Sequence, residues 1–351
     1  MKKFVLFLIT SILLLTTMTA CDACTSCTPK DPVSYYLNWV DVPDPQIGYK
    51  ETCVYDVTYV ADYNENGYNY SSQSGIGIDI SYQNSTYVVT TEILQTLPDG
   101  ITADSSYSGK FYKITSTLNI NVTYSGLGTF NDEVISTVYF CDHNTAFAPI
   151  YSAKSYDTTN IKLEDDGTGG SIIRYIYSTQ TVYDKGTAYF TVSQPTLPEN
   201  TATVSYPKVS SVNARKVNGT YKDFIDNETL LFASRNLPTD KTTDLKVAST
   251  SYLDIVDLQV YNLATGSVSL DLMVDGSTKT VQAPCATMAL CKEDDTFTGS
   301  PIIIDITTGE TKDGETTVLK NNAYICKMIT KLPSYTGAVQ YLLKSVTSGL
   351  N

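Results

Sequence analysis

From Glu51 onward the chain alternates apolar and polar residues with a period of two. Cys53, Tyr55, Val57 and Tyr59 share one face, with Thr52, Asp56 and Thr58 opposite. Ile76, Ile78, Ile80 and Tyr82 alternate with Gly75, Gly77, Asp79 and Ser81. Leu118, Ile120, Val122 and Tyr124 alternate with Thr117, Asn119, Asn121 and Thr123. Val268, Leu270, Leu272 and Val274 repeat the pattern, with Met273 as the one apolar residue on the polar side. A period of two puts successive side chains on opposite faces of a strand, so such segments bury one face and wet the other. Antiparallel sheets are built this way. Turn signals separate the runs: Asn66-Gly67, Pro98-Asp99-Gly100, Asp166-Gly167, Asp275-Gly276 and Asp313-Gly314.

One segment departs from this pattern. Asp226-Asn227 is suited to cap a short helix running from Glu228 to Arg235 and stopped before Pro238. Leu230, Ala233 and Leu237 recur at three and four residues and are expected to face the core of the protein. The expected fold is therefore mainly β: a long curved antiparallel sheet, an incomplete β-barrel, with one short central helix over 226–236.

The N-terminus sets the compartment. Lys2 and Lys3 precede an apolar run from Phe4 to Leu15. The run is about a dozen residues, short of the roughly 20 that a spanning helix needs, and it has the form of a secretory leader. Met18-Thr19-Ala20-Cys21 resembles the lipobox of bacterial lipoproteins, with Met18 an imperfect aliphatic residue. That resemblance implies cleavage before Cys21 and lipidation of its thiol, so the protein reaches the membrane through a lipid anchor. Residues 1–20 are then the signal peptide and 21–34 a short polar tether. Residues 35–351 form a single half-barrel domain on the outer side of the bacterial cell membrane.

Charge narrows the partners. The chain carries 37 acids and 24 bases, a net charge of −13, and removing Lys2 and Lys3 takes it to −15. An acidic surface repels nucleic acid and anionic headgroups, so neither is an expected partner. Tyrosine is abundant, with 27 residues against one Trp and one His, and aromatic side chains suit a pleated, half-buried surface. Cys53, Cys141, Cys285, Cys291 and Cys326 fall in strand-like segments, where small buried hydrophobes are the default reading. A secreted chain permits disulfides, and Cys285–Cys291 is the first pair to test.

Three segments carry a further resemblance. They are Val138 to Thr145 leading to Pro149-Ile150, then Ile225 to Pro238, then Val281 to Met288. The second has an acidic start, a hydroxyl residue, paired apolar residues and Arg235 near the helix end. Together they resemble a family of secreted bacterial proteins of unknown function, with the half-barrel of lipoprotein carriers and receptors. Ser234 stands where that family usually has leucine, and Ala286 where it has glycine. The resemblance implies a sheet whose concave side holds acyl chains, with Leu230, Leu231 and Phe232 lining that side.

Motifs for other chemistry are thin. Asp62 to Gly67 has the alternating oxygens of a calcium loop, but Gln73 stands where the bidentate acid belongs, so an Asx-rich hairpin turn is the better reading. Cys21, Cys24 and Cys27 have metal-like spacing without a fourth ligand. Cys141 and His143 are the one thiol–imidazole pair, with His143 in a predicted turn. Glu164/Asp165 and Asp294/Asp295 read as solvated loop charges. No metal, cofactor or catalytic residue is assigned. The sequence points to a non-enzymatic lipoprotein that binds a hydrophobic or amphiphilic ligand on the concave face. The alternative is a structural or interaction module contacting envelope protein or glycan.

Overall fold

The computed structural model describes residues 35, 46–65, 68–71, 79–105, 107–142, 145–163, 170–219, 224–292, 301–332 and 337–350. The leader, Cys21, Cys24, Cys27, the tether, His143 and the two acidic pairs lie outside the described residues. Among the described residues no helix is long and apolar enough to cross a membrane.

The N-terminal half contributes β1 (Tyr49–Val60), β2 (Asp62–Glu65), β3 (Tyr68–Ser71), β4 (Ile80–Leu94), β5 (Phe111–Tyr124) and β6 (Gly128–Cys141). Next come β7 (Pro149–Leu163), β8 (Gly170–Asp184), β9 (Thr187–Ser193), β10 (Val204–Ser205), β11 (Val212–Asn218) and β12 (Ile225–Asp226). A 3-10 turn (Asn227–Thr229) leads into α1 (Leu230–Arg235). Then follow β13 (Thr243–Ser249), β14 (Asp254–Val274), β15 (Ser277–Lys292) and β16 (Ile302–Thr307). The last are β17 (Thr311–Asp313), β18 (Thr316–Leu319), β19 (Ile325–Lys331) and β20 (Ala338–Leu350).

Sixteen strands form one sheet in the order β11-β9-β8-β7-β6-β5-β4-β1-β20-β19-β16-β15-β14-β13-β12, with β10 added beside β8. Almost all neighbours are antiparallel; β10–β8 and β12–β13 are short parallel pairs. The chain closes on itself in the middle of the sheet, where β1 pairs with β20 from Tyr49↔Leu350 to Val60↔Ala338. The expected mainly β fold with a long curved sheet and one short helix is the one found. Asp275 and Gly276 both have positive φ between Val274 and Ser277, the two-residue hairpin geometry that Asp-Gly favours.

The period-two residues make the core. Cys53, Tyr55, Val57, Leu118, Ile120, Val122 and Tyr124 are all buried in one continuous cluster, whereas Met273, on the opposite parity, is 42 % exposed. The helix lies on the face that carries this cluster, here the inner face. Leu230, Ala233 and Leu237 are each about fully buried against it. Asp226 caps the 3-10 turn by accepting the Glu228 N–H at 2.7 Å. At six residues α1 is too short to hold itself in water, so its order comes from packing and from side-chain bonds to the sheet.

The sheet does not close into a barrel. Its end strands, β11 and β12, share no ladder. Side chains bridge the gap instead: Phe190 of β9, Phe224 and Ala248 of β13 form one cluster, with Val217 and Ile255 packed on it. The Gly219 N–H donates to the Gly186 carbonyl at 2.7 Å beside this seam. A Cβ on Gly219 would lie 2.7 Å from Ile255 Cδ1, so the close packing needs the missing side chain.

The Cys285–Cys291 disulfide expectation fails on geometry. Both residues sit on β15, six apart on one extended strand, a separation of roughly 20 Å at about 3.3 Å per residue. A disulfide needs Cα atoms within about 7 Å. Cys53, Cys285 and Cys326 carry free thiols, and all five strand cysteines, Cys141 and Cys291 included, are buried.

Candidate functional site

Alternation on β7 defines the two faces around the helix. Ser152 and Lys154 reach the helix segment, so Tyr151 and Ala153 point to the other, outer face. Across the ladder, Tyr151 pairs with Val182 and Ala153 with Gln180, which puts Val182 and Gln180 on that outer face too. Among the described residues, one place on each face has room beside apolar side chains.

The inner place is a crevice of about 40 Å³ under α1. Its walls include Cys53, Tyr55, Val89, Ile114, Phe232 and Met328. It is small because the helix fills the sheet. Phe232 stands at 5.3 Å from the Phe147 ring, 5.5 Å from Phe140 and 6.2 Å from Tyr112. Of the three residues expected to line a ligand, Leu230 and Phe232 are buried in the core, and Leu231 is half-buried at the crevice. For scale, an apolar cavity of about 150 Å³ accepts one benzene.

Three polar latches hold the helix segment down. Arg235 donates to both oxygens of Glu51 on β1, at 2.6 and 3.2 Å, and to the carbonyls of Asn322 and Ala323 at 2.9 Å each. Its guanidinium also lies 5.3 Å from the Tyr324 ring centre. Lys154 on β7 donates to Glu228 at 3.0 Å. Asp226 accepts from Ser152 at 2.6 Å and from the Tyr183 hydroxyl. Burial, reinforced by the neighbouring Glu228 charge, pushes the Asp226 carboxyl up to about 6. The same burial raises the Tyr183 hydroxyl well above the usual phenol range.

The outer place is larger, a cavity of about 210 Å³. It opens between the 100–104 loop, the start of β7 and the β8–β9 turn. Ile101, Ile150, Tyr151, Val182 and Phe224 give it apolar walls, and Gln180, Asp104 and Lys185 give it polar ones. Val182 is 42 % exposed here, one of few large apolar residues on the surface among the described residues. The floor is firm: Tyr139, Cys141, Ala148 and Ile150 form a separate apolar cluster on this face, covered by Leu97, Ile101 and Tyr107. Tyr107 fastens the cover, donating to the Lys110 carbonyl and accepting the Asp142 N–H at 3.1 Å.

The remaining candidates are placed as follows. Asp62–Glu65 and Tyr68–Ser71 pair antiparallel with Glu65 opposite Tyr68, and the Asn66-Gly67 turn between them lies outside the described residues. Glu65 is bonded to Lys327 at 2.9 Å. Among the described residues, no group of three His, Cys, Asp or Glu side chains converges as metal ligands do.

Sequence reading missed the latches and the outer cavity. One of the latches did leave a signal. Glu51 shares strand parity with Cys53, Tyr55 and Val57, so it is a charge on an otherwise apolar face; Lys154 shares its parity with Ser152, Tyr156, Thr158 and Asn160, a mixed face on which a lysine does not stand out. The outer cavity is made by a loop folding over the apolar patch around Tyr139 and Ile150, and the local pattern does not say which loop covers that patch.

No family model matches the chain, and no curated protein is significantly similar to it. Among solved structures it is similar to a beta-barrel-like protein of domain of unknown function DUF1849 from Brucella abortus. That likeness has 12% sequence identity and a TM-score of 0.43, and covers 86% of this chain and 99% of that one. It assigns this chain neither a family nor a site.

Proposed function

We propose that the chain is a lipid-anchored, extracytoplasmic, non-enzymatic binding domain of the bacterial cell envelope, which takes a small hydrophobic or amphiphilic ligand in the outer-face cavity. The observation that carries the choice of face is volume. The outer cavity has about 210 Å³ and a mixed lining, while the helix leaves about 40 Å³ on the inner face. Pockets with apolar walls and a few convergent polar groups are the usual form of small-ligand sites. The lipobox-like Met18 to Cys21 supports the anchor and the compartment. A second reading places the ligand at Leu230, Leu231 and Phe232, and the half-exposed Leu231 at the mouth of the inner crevice favours it.

The test is direct. Organic extracts of the purified soluble domain are analysed by mass spectrometry, and the domain is titrated with a fluorescent lauric acid analogue. Val182→Trp fills the outer cavity and abolishes probe binding, while Leu231→Trp leaves it intact. The reverse pattern moves the site to the inner crevice. No copurified lipid and no probe binding sink both readings. In cells, Cys21→Ser shifts the protein from the detergent phase to the aqueous phase.

A further inference from the structure

Three groups of complementary chemistry meet where β7 touches the start of the helix segment. Lys154 Nζ donates to Glu228 Oε1 at 3.0 Å, and Asn227 Nδ2 donates to the same oxygen at 3.1 Å. One carboxylate oxygen thus holds an amine and a carboxamide side by side. The trio is screened from water: the Lys154 and Glu228 side chains are 4% and 3% exposed, and Asn227 is fully buried. The Tyr156 ring covers the amine, with its centre 5.3 Å from Nζ. Lys154 and Asn227 are on separate elements, so the pair is brought together by the fold.

We infer that Lys154 and Asn227 condense into an intramolecular isopeptide bond, with Glu228 as the proton carrier. An amine freed of its proton is a nucleophile, and the carboxamide carbon is its electrophile. A carboxylate in contact with both nitrogens is placed to move protons between them. Fixed proximity replaces the entropy of encounter, and a dry site suppresses hydrolysis of the reacting amide.

The step balances without a co-reactant. Glu228 takes the third proton of the Lys154 ammonium. Nζ attacks Asn227 Cγ, and Glu228 hands that proton to the carboxamide oxygen. The tetrahedral centre collapses, the Cγ–Nδ2 bond breaks, and a second Nζ proton passes through Glu228 to the leaving nitrogen. Ammonia departs, and one proton remains on Glu228 or on ammonia as ammonium. Nothing is oxidised or reduced. The product ties β7 covalently to the helix segment and closes a loop containing β8 to β12.

The purified mature chain tests this without any ligand. Its intact mass is expected to fall short of the sequence mass by one ammonia. After digestion, the peptide containing Lys154 stays joined to the peptide containing Asn227. Lys154→Arg, which keeps the ion pair with Glu228, and Asn227→Ala restore the full mass. Glu228→Gln stops the reaction with Lys154 and Asn227 intact. Full mass with both peptides free overturns the inference. So does loss of water with Lys154 joined to Asp226 or Glu228, and so does loss of ammonia from Asn227 with Lys154 unlinked. A crosslinked Glu228→Gln protein overturns the role given to Glu228.

Discussion

Arg235, at the last turn of the helix, grips Glu51, near the start of the first long strand, through two hydrogen bonds of 2.6 and 3.2 Å. The pair is buried, with side chains 8% and 1% exposed. Removing one partner strands the other charge away from water, which costs about 3–5 kcal/mol, whereas replacing both with apolar groups of similar volume is often neutral. Glu51→Ala is therefore expected to lower unfolding stability by that amount. Glu51→Leu combined with Arg235→Met is expected to recover most of it. Urea unfolding of the singles and the double checks this; equal losses in the single and the double would show that the charges themselves do not matter.

Phe232 and Leu231 are neighbours in sequence and differ in role. Phe232 is 4% exposed among the rings of Tyr112, Phe140 and Phe147. Truncating a packed aromatic ring costs about 3–5 kcal/mol. Leu231 is half-buried beside the crevice. Phe232→Ala is expected to lose several times more stability than Leu231→Ala in the same denaturation assay. Equal losses would mean that the helix sits differently on the sheet.

The alternation from Cys53 to Val57 and from Leu118 to Tyr124 made the strands legible, because a half-buried sheet writes its faces at a period of two. The three-and-four spacing of Leu230, Ala233 and Leu237 made the helix legible, although its first turn is 3-10 and Leu237 lies just past its end. The filling of the inner face was not legible. Whether Phe232 lines a cavity or plugs it depends on Tyr112 of β5, Phe140 of β6 and Phe147 of the β6–β7 turn, all distant in sequence. Pairings such as Lys154 with Glu228, 74 residues apart, also arise only from sheet order. The seam is similar: nothing local in Phe190 or Phe224 says that they meet.

Gly337 and Gly266 separate strain from mere lack of a side chain. Gly337 stands just before β20 with φ +96, and a Cβ there would lie 2.5 Å from the Val60 carbonyl oxygen. Backbone atoms on β1 cannot yield without disturbing the β1–β20 ladder. Gly337→Ala is expected to cost at least about 1–3 kcal/mol. Gly266 lies within β14, with nothing within 4 Å of a built Cβ and no positive φ. Gly266→Ala is expected to be neutral or to stabilise by about 0.5 kcal/mol, through a less flexible unfolded chain. Thermal melts of the two variants should move in opposite directions, or only the first should move.

Asp132 gives the fold an unusual pH dependence. The β6–β7 ladder ends at Glu133↔Asp157, and just beyond it the Asp132 carboxylate accepts the Thr159 N–H and hydroxyl, each at 2.9 Å. Burial pushes this carboxyl up to about 7, against the pull of those bonds and of Arg174; Asp157 adds a small push upward. An unfolded aspartate titrates near 3.9. Because the folded value is the higher one, the native state binds this proton more tightly. The resulting stability is fully present below the unfolded value and is lost as pH rises through about 7. Over that window the loss is about 4 kcal/mol at most, at roughly 1.4 kcal/mol per pH unit. Asp132→Asn keeps the oxygen acceptor and removes the charge. Measured by urea unfolding from pH 4 to pH 8, the variant minus wild-type difference is expected to shift in the variant's favour as pH rises. A difference independent of pH would show that Asp132 titrates at its ordinary value and that the fold tolerates a buried charge there.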